Sequence, residues 1–285
     1  MKPILKYRGG KSQEIQYLVN YIPKEFETYI EPFIGGGAVF FHLKHKRNII
    51  NDINSKLITF YRQLKNDYTK LRQELDYLQE VYERNQLEFE EQKSVVGGSY
   101  IEDRNEELYY GMRDLFNYPN GQWLAGTVYF FINKTAYSGM IRYNKKGEYN
   151  VPFGRYKHFN TKLITDEHHK LLTRTDIYNT DFSKIFKLAK PGDFMFLDPP
   201  YHKTVFNDYG NCVKSDENEF TEEEHERLAS EFKQLKCKTL MVISKTELTS
   251  ELYKDYIVDE YGKNYNVNIR NRFKNSAKHL VIANY

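Results

Sequence analysis

The sequence predicts an α/β protein, a mainly parallel sheet interrupted by a long helical insertion. Three observations carry this reading. Residues 29–52 read as a strand, a glycine turn, a helix and a second strand. Short apolar strand signals recur at 176–179, 193–197 and 239–244 with helical stretches between them, the alternation that builds parallel sheets. From Asn54 the apolar residues switch to helical spacing and hold it for several turns.

In the first unit Tyr29 to Phe33 lead into Gly35, Gly36 and Gly37. AVFFHLKHK then supplies a helix, and Asn48 to Asn51 a second buried strand ending at Asp52. Beyond it Leu57, Tyr61, Leu64, Tyr68, Leu71, Leu75 and Leu78 predict a long amphipathic helix or a helix pair. Dense charge continues through Arg113 with one break at Gly97, Gly98 and Ser99, so a helical insertion is the simplest account. Residues 134–157, rich in Gly, Asn, Tyr and Lys with turn signals at Ser138-Gly139 and Lys146-Gly147, predict an irregular hairpin. Strands resume at 176–179 and, after the Pro191-Gly192 turn, at 193–197. Thr221 with Glu224 three residues on reads as a capping box that opens a helix to about Lys236. Two further strands joined by a basic loop, the second ending KHLVIANY, predict an antiparallel edge.

With 285 residues, 40% of them apolar, the chain can bury a core of one or two domains. Cys212 and Cys237 are too few for a disulfide framework, and MKPILKYRGGK lacks the apolar stretch of a secretory leader, so the expected compartment is a reducing cytosol. No apolar run reaches membrane-spanning length. The 25 tyrosines and 19 phenylalanines give many rings with a polar tip that suit wet binding surfaces. A net charge of +3 excludes a generally polybasic nucleic-acid coat.

Glycines after a first strand let backbone approach a ligand, and an acid closing the second strand can hold ribose hydroxyls. Asp52, 15 residues after Gly37, stands where such an acid belongs. A tight turn with a helix-capping acid fits these residues as well. The run matches neither G-x-G-x-x-G nor G-x-x-x-x-G-K-[ST], which favours a nucleoside ligand without a pyrophosphate. Asp198, Pro199, Pro200 and Tyr201 follow the apolar strand directly, at the end where open α/β sheets place ligands. Two prolines remove two backbone donors and leave rigid carbonyl acceptors. A carboxylate, such acceptors and a ring suit an exocyclic amine on a planar base, although a strand exit with an aromatic plug has the same residues.

In order along the chain, these motifs resemble those of Dam-type DNA adenine-N6 methyltransferases, the D12 class of the alpha group. Lys6-Tyr7-Arg8-Gly9-Gly10-Lys11 resembles K-W-x-G-G-K, and Glu31 to Gly37 resembles E-P-F-x-G-x-G. Asn51-Asp52-Ile53-Asn54 resembles N-D-x-N, Asp181-Phe182 the D-F after the third strand, and Asp198 to Tyr201 the catalytic D-P-P-Y. Arg142-Tyr143-Asn144 with Gly147 to Tyr156 resembles R-Y-N-x-x-G-E-F-N-V-P-F-G-R-Y. Each motif is weak alone; six in order at fitting spacings are specific.

The resemblance implies a Rossmann-like, S-adenosyl-L-methionine-dependent catalytic domain over residues 1–57 and 161–285, with a mainly helical target-recognition domain at 58–160. The product would be S-adenosyl-L-homocysteine, and no metal is implied; the His168-His169 pair has no ligand-like spacing. Tyr7, where the family usually has Trp, and Lys11 would contact the cofactor. Phe33, Gly35 and Gly37 would line its methionine and ribose, Asp52 would hold the ribose, Asp181 and Phe182 would flank the adenine, and Asp198 would serve both cofactor and target. The substrate would be double-stranded DNA with the adenine flipped out onto Tyr201. Tyr137 would wedge into the stack, Arg142 would read guanine, Lys6 would contact another base, and Pro152 would join the DNA contacts. Arg270 and Arg272 would grip phosphate or merely charge an edge loop. GATC is the family default; Ser138 for the usual Asn and Met140 for Leu leave the sequence open. A restriction endonuclease as genetic partner and the oligomeric state, monomer or weak dimer, stay open too. Alternatives within the fold are cytosine-N4 or RNA adenine as acceptor, the former disfavoured by Asp198 where those enzymes usually carry Ser. A non-catalytic DNA-binding relative is the alternative from another class.

The charge is unevenly placed. Residues 1–11, 134–157 and 262–278 hold 15 of the 42 basic residues and one of the 39 acids, Glu148, a surplus of 14 on an otherwise acidic chain. A localised basic face should bind DNA with marked salt dependence.

Overall fold

Seven strands form one sheet: β1 (Tyr29–Glu31), β2 (Asn48–Asn51), β3 (Thr175–Tyr178), β4 (Phe194–Leu197), β5 (Lys238–Ser244), β6 (Ile257–Asn264) and β7 (Ser276–Ala283). Their order is β3-β2-β1-β4-β5-β7-β6. The computed structural model describes residues 1–7, 9–95, 101–139, 142–202, 220–264 and 276–285. β1 runs parallel to β2 and to β4, and β4 runs parallel to β5. β7 pairs antiparallel with β5 and with β6, so the expected antiparallel edge is present, with the last strand inserted inside it. Ten helices accompany the sheet among the described residues: α1 (Ile15–Leu18), α2 (Ala38–Leu43), α3 (Ser55–Asn66), α4 (Tyr68–Val95), α5 (Arg104–Asn117), α6 (Ala125–Thr135), α7 (Asp166–Thr173), α8 (Phe182–Phe186), α9 (Glu222–Phe232) and α10 (Glu247–Leu252). No helix among them is long and apolar enough to cross a membrane.

The chain packs as two units, residues 16–34, 45–53 and 178–285 in one and residues 1–15, 35–44 and 54–177 in the other. In the sheet unit β4 is buried throughout and β5 everywhere but Lys238, as strands covered on both faces must be. Met195, Leu197, Met241 and Ile243 pack with Phe182 and Phe186 of α8, Leu228 and Phe232 of α9, and Leu280 and Ile282 of β7.

The second unit is helical. The helical spacing after Asn54 resolves into a pair, α3 and α4, with Asn54 capping α3 by accepting from Leu57 N–H at 3.1 Å. α6 is buried along nearly its whole length and lies close to α3: a Cβ on Gly126 would stand 3.3 Å from the Phe60 Cα. Several tyrosines, whose polar tips would also suit wet surfaces, are core pillars. Tyr61, Tyr82 and Tyr109 are fully buried, and their hydroxyls donate to the Gly35, Tyr156 and Val151 carbonyls, so each ring fills volume while its polar tip ties down a loop.

The segment after α6 is irregular as expected. Among the described residues its strand-like pairing is limited to the isolated bridges Ala136↔Phe153 and Tyr143↔Tyr149, and Ser138 and Gly139 are both left-handed, at φ 54° and 58°. His168 caps α7, exchanging bonds with Thr165 while its Nε2 meets the Lys2 carbonyl at 3.1 Å.

The helix after Thr221 departs from expectation. It ends at Phe232, four residues short of Lys236, because the chain turns there to enter β5. Its capping box is half made: Thr221 accepts from Glu224 N–H, but the Glu224 carboxylate pairs with Arg227 at 2.6 Å instead of returning to the cap. Inside α9, His225 is completely buried with neither ring nitrogen hydrogen-bonded, edge-on to Phe220 at 4.7 Å and facing His202 at 5.6 Å, with Glu222 nearby. Burial, reinforced by His202, pulls its pKa down to about 4, and burial also lowers His168. An imidazole that titrates near 6.5 in the unfolded chain binds a proton there before it does so folded, so stability falls with pH between about 6.5 and about 4. Thermal unfolding followed by calorimetry should show the melting temperature dropping through that window, and His225→Phe should flatten the drop; an unchanged slope in the variant counts against the assignment.

Candidate active site and DNA-reading segment

Between β1 and β4 the strand order reverses, with β2 and β3 to one side and β5 to the other, and in such sheets ligands bind beyond the carboxyl ends of the strands. Motifs scattered over some 170 residues become neighbours at that edge. Phe33 follows β1, Asp52 follows β2, Asp181 and Phe182 follow β3, and Asp198 to Tyr201 follow β4.

One side chain ties three of these exits together. Asn51, 1% exposed, donates from Nδ2 to the Pro32 carbonyl at 2.9 Å and the Thr180 carbonyl at 3.0 Å, and accepts from Thr180 N–H on Oδ1 at 2.9 Å. Its backbone carbonyl takes Ile34 N–H at 2.9 Å. Asn179 adds bonds to the Asp52 and Ile53 carbonyls at 2.8 and 3.0 Å. Asp52 therefore stands half-buried on a fixed backbone between the Phe33 and Asp181 loops. Nothing local in the sequence signals this role, because the partners of the Asn51 amide lie 19 and 129 residues away.

Asp181 caps α8, accepting from Ser183 N–H at 2.9 Å, and meets both guanidinium nitrogens of Arg227 at 2.9 and 2.8 Å. These bonds, those from Arg227 foremost, hold its pKa at about 2. Phe182 is buried: its ring packs against Phe33 at 5.5 Å and Phe220 at 6.0 Å, and the Arg227 guanidinium lies 4.2 Å from its centroid. Arg227 and Phe220 carried no local signal; their partners lie some 40 residues away.

After β4, Asp198 is half-buried, Pro199 buried and Pro200 exposed. The Tyr201 hydroxyl makes a long 3.4 Å contact with Asp198 Oδ1, and its ring stands edge-on to His279 of β7 at 5.2 Å. His202 is held at both nitrogens, by Thr246 Oγ1 at 3.3 Å and Glu222 at 3.1 Å. The Asp-Pro-Pro-Tyr turn is thus pinned through its ring to β7 and through the next residue to α9 and to the N-cap of α10.

Of the remaining predicted residues, those that are described belong to the helical unit. Lys11 is 1% exposed, with its ammonium 3.1 Å from the Gly9 carbonyl. Tyr7 lies on the glycine run: a Cβ on Gly35 would come within 2.8 Å of its ring, and one on Gly36 within 2.9 Å of its Cβ. Gly37, at φ 68°, begins α2, where a side chain would meet Phe41. The glycines are required by protein packing alone, whatever else they serve.

In the same unit, Asn133 clamps the Lys6 backbone with two 2.8 Å bonds, while the Lys6 ammonium donates to the Lys134 carbonyl and sits 3.8 Å over the Tyr156 ring. Burial lowers the pKa of Lys6 and, with Lys6 beside it, brings Lys134 down to about 8. Tyr137 is 48% exposed at the tip of its turn, its N–H bound to the carbonyl of the exposed Pro152 at 2.9 Å. Arg142 is half-buried and aimed by Asn150, which takes Nε at 2.8 Å on Oδ1 and Nη2 at 3.1 Å on its carbonyl. Arg270 and Arg272 lie outside the described residues.

A family model described as D12 class N6 adenine-specific DNA methyltransferase matches residues 7–269, nearly the whole chain. The chain belongs to this family. It is an adenine-specific DNA methyltransferase, and the family excludes cytosine-N4 as its defining acceptor. The methyltransferase is 36% identical to the Type II methyltransferase M.CviBI of Paramecium bursaria Chlorella virus NC1A, with 100% of both chains covered. It is 33% identical to the Type II methyltransferase M.MjaIII of Methanocaldococcus jannaschii over 93% of this chain and 88% of that one. Identity to the DNA adenine methylase of Escherichia coli (strain K12) is 29% over 80% of this chain and 74% of the other.

In this methyltransferase Asn51→Ala removes three side-chain hydrogen bonds, one buried and two part-buried, and leaves their partners without this amide, a loss of roughly 2–3 kcal/mol. Differential scanning calorimetry should register a melting temperature several degrees lower; an unchanged one would mean the three exits are held by other means.

Proposed function

We propose that the chain transfers the methyl group of S-adenosyl-L-methionine to N6 of an adenine flipped out of duplex DNA, and releases S-adenosyl-L-homocysteine. The observation that carries this is the convergence of Phe33, Asp52, Asp181 and Asp198 to Tyr201 on the carboxyl edge at one strand-order reversal. The donor set fits the cofactor: carboxylates on adjacent strand exits suit ribose hydroxyls and a base amine, with an aromatic ring between them. Asp52 takes the ribose, Asp181 and Phe182 the adenine end, Phe33 with Gly35 and Gly37 the ribose and methionine, and Tyr7 and Lys11 complete the contacts. The cofactor supplies a methyl group already activated on sulfur.

The protein's own work is orientation. Tyr201 stacks on the flipped adenine, and the Asp198 carboxylate with a carbonyl of the Pro199-Pro200 segment accepts from N6, drawing its lone pair out of conjugation and aiming it. As positive charge develops on N6 the Asp198 carboxylate stabilises it, and the proton leaves during or after attack. The neutral carbonyls, being acceptors only, hold the amine without competing for its lone pair.

Target choice is assigned to the helical segments. Tyr137 wedges into the stack, Arg142 reads guanine with the donors Asn150 leaves available, Lys6 contacts a second base, and Pro152 lines the same hairpin. Residues 58–160 act as the recognition domain, and residues 1–57 with 161–285 as the catalytic domain. The recognition sequence is a short duplex site with GATC as default, the place of action is the cytoplasm, and the Type II relatives make a restriction endonuclease the natural genetic partner.

Asp198→Ala should cut methyl transfer at least about a hundredfold in a tritiated methyl assay on unmethylated DNA while sparing the fold; near-normal turnover overturns the catalytic assignment. Arg142→Ala should change which sequences are modified, costing about 1–3 kcal/mol of discrimination at one base pair, as read by sequencing modified bases. Uniform weakening at all sites would make Arg142 a phosphate clamp.

A further inference from the structure

Arg227 lies within α9, yet its contacts outside that helix return to the exit of β3. Nη1 donates to Asp181 Oδ1 at 2.9 Å and to Ser183 Oγ at 2.6 Å, and Nη2 donates to Asp181 Oδ2 at 2.8 Å. Glu224 at 2.6 Å and Glu231 at 3.8 Å hold the guanidinium from α9 itself. Its guanidinium carbon lies 4.2 Å from the centroid of the Phe182 ring, so one side chain contacts both the acid and the ring.

Orientation is what this arrangement gives the acid. Two parallel bonds fix the carboxylate plane, and Ser183 N–H fixes it from the third side. Three of the roughly four acceptor positions are then filled, and the one left lies on Oδ2 of a side chain still 41% exposed. We propose that Arg227 is a positioning residue for the cofactor's adenine end, holding Asp181 so that its remaining acceptor position meets the 6-amino group while it clamps Phe182 beneath. The inference rests on the cofactor reading above and adds to it the origin of selectivity for adenine. A purine with oxygen at position 6 would face the carboxylate acceptor to acceptor and be rejected. A lysine at 227 keeps the charge but cannot make the paired contact.

The test uses the full chain. Binding of S-adenosyl-L-homocysteine and of its inosine counterpart is measured by titration calorimetry for the wild type, Arg227→Met and Arg227→Lys, alongside steady-state methylation. The wild type should prefer the adenine form at least about tenfold, and Arg227→Met should lose most of that preference. Its cofactor KM should rise by about the same factor, while kcat at saturating cofactor and the DNA KM stay within about twofold. Arg227→Lys should fall between the two, and it decides the matter by the same ratio if the Met variant does not fold. A wild type that binds both forms equally would overturn the cofactor reading of Asp181 itself. A wild type that discriminates, with variants that discriminate as well, would leave that reading standing and overturn the role of Arg227. A parallel fall of every parameter with the melting temperature would reduce Arg227 to a structural ion pair.

Discussion

The candidate catalytic edge depends on one buried amide. β1, β2 and β3 are three or four residues long, too short for their ladders alone to fix where the chain goes next. Asn51 supplies what the ladders lack, because an amide with both a donor and an acceptor end can bind neighbours on either side of its own strand. It does so at Pro32 and at Thr180, from a side chain that is itself buried. Phe33, Asp52 and Asp181 take their spacing from that side chain together with the Asn179 bonds to the Asp52 and Ile53 carbonyls.

The rest of the edge is built by charge and by rings. Arg227 is the counterpart of Asn51 on the other side of Asp181, a long-range ion pair that orients where Asn51 spaces. The Asp-Pro-Pro-Tyr turn is stiff in its own backbone through two fixed φ angles, and its neighbours His279, Thr246 and Glu222 hold it from strands and helix whose positions are already set. The helical unit answers a different demand. Its aromatic content helps loops without regular ladders stay ordered, with Tyr61, Tyr82 and Tyr109 each donating to a loop carbonyl, and the hairpin carrying Tyr137 and Arg142 is held by such a bond and two isolated bridges.

Much of this was legible in the residues. The apolar runs at Phe194–Leu197 and Leu240–Ile243 announced buried parallel strands, the spacing from Leu57 to Leu78 announced helices, and the glycine run with Asp52 and the Asp-Pro-Pro-Tyr turn marked both halves of the candidate site. Local signals fell short at the end of α9, where the need to enter β5 overrode propensity, and at its cap, where Glu224 met Arg227 instead. The place of the tyrosines was not legible, because composition reports that a ring has a polar tip and not whether a carbonyl waits beside it. The glycines illustrate a further limit: spacing suggested a ligand cradle, and geometry adds that the Tyr7 ring occupies the same approach.

The sequence by itself determined the fold class, the order of the motifs and, through them, the adenine-specific methyltransferase family. Each of these is carried by residues adjacent in the chain, or by a periodicity that burial imposes along one element. Only the tertiary structure decided that Asn51 joins three exits, that Arg227 grips Asp181 across 46 residues, and that Asn133 and Asn150 hold Lys6 and Arg142. Those bonds join groups far apart in sequence whose partners are backbone atoms or single side chains, and such pairings leave no periodicity for a linear reading to find.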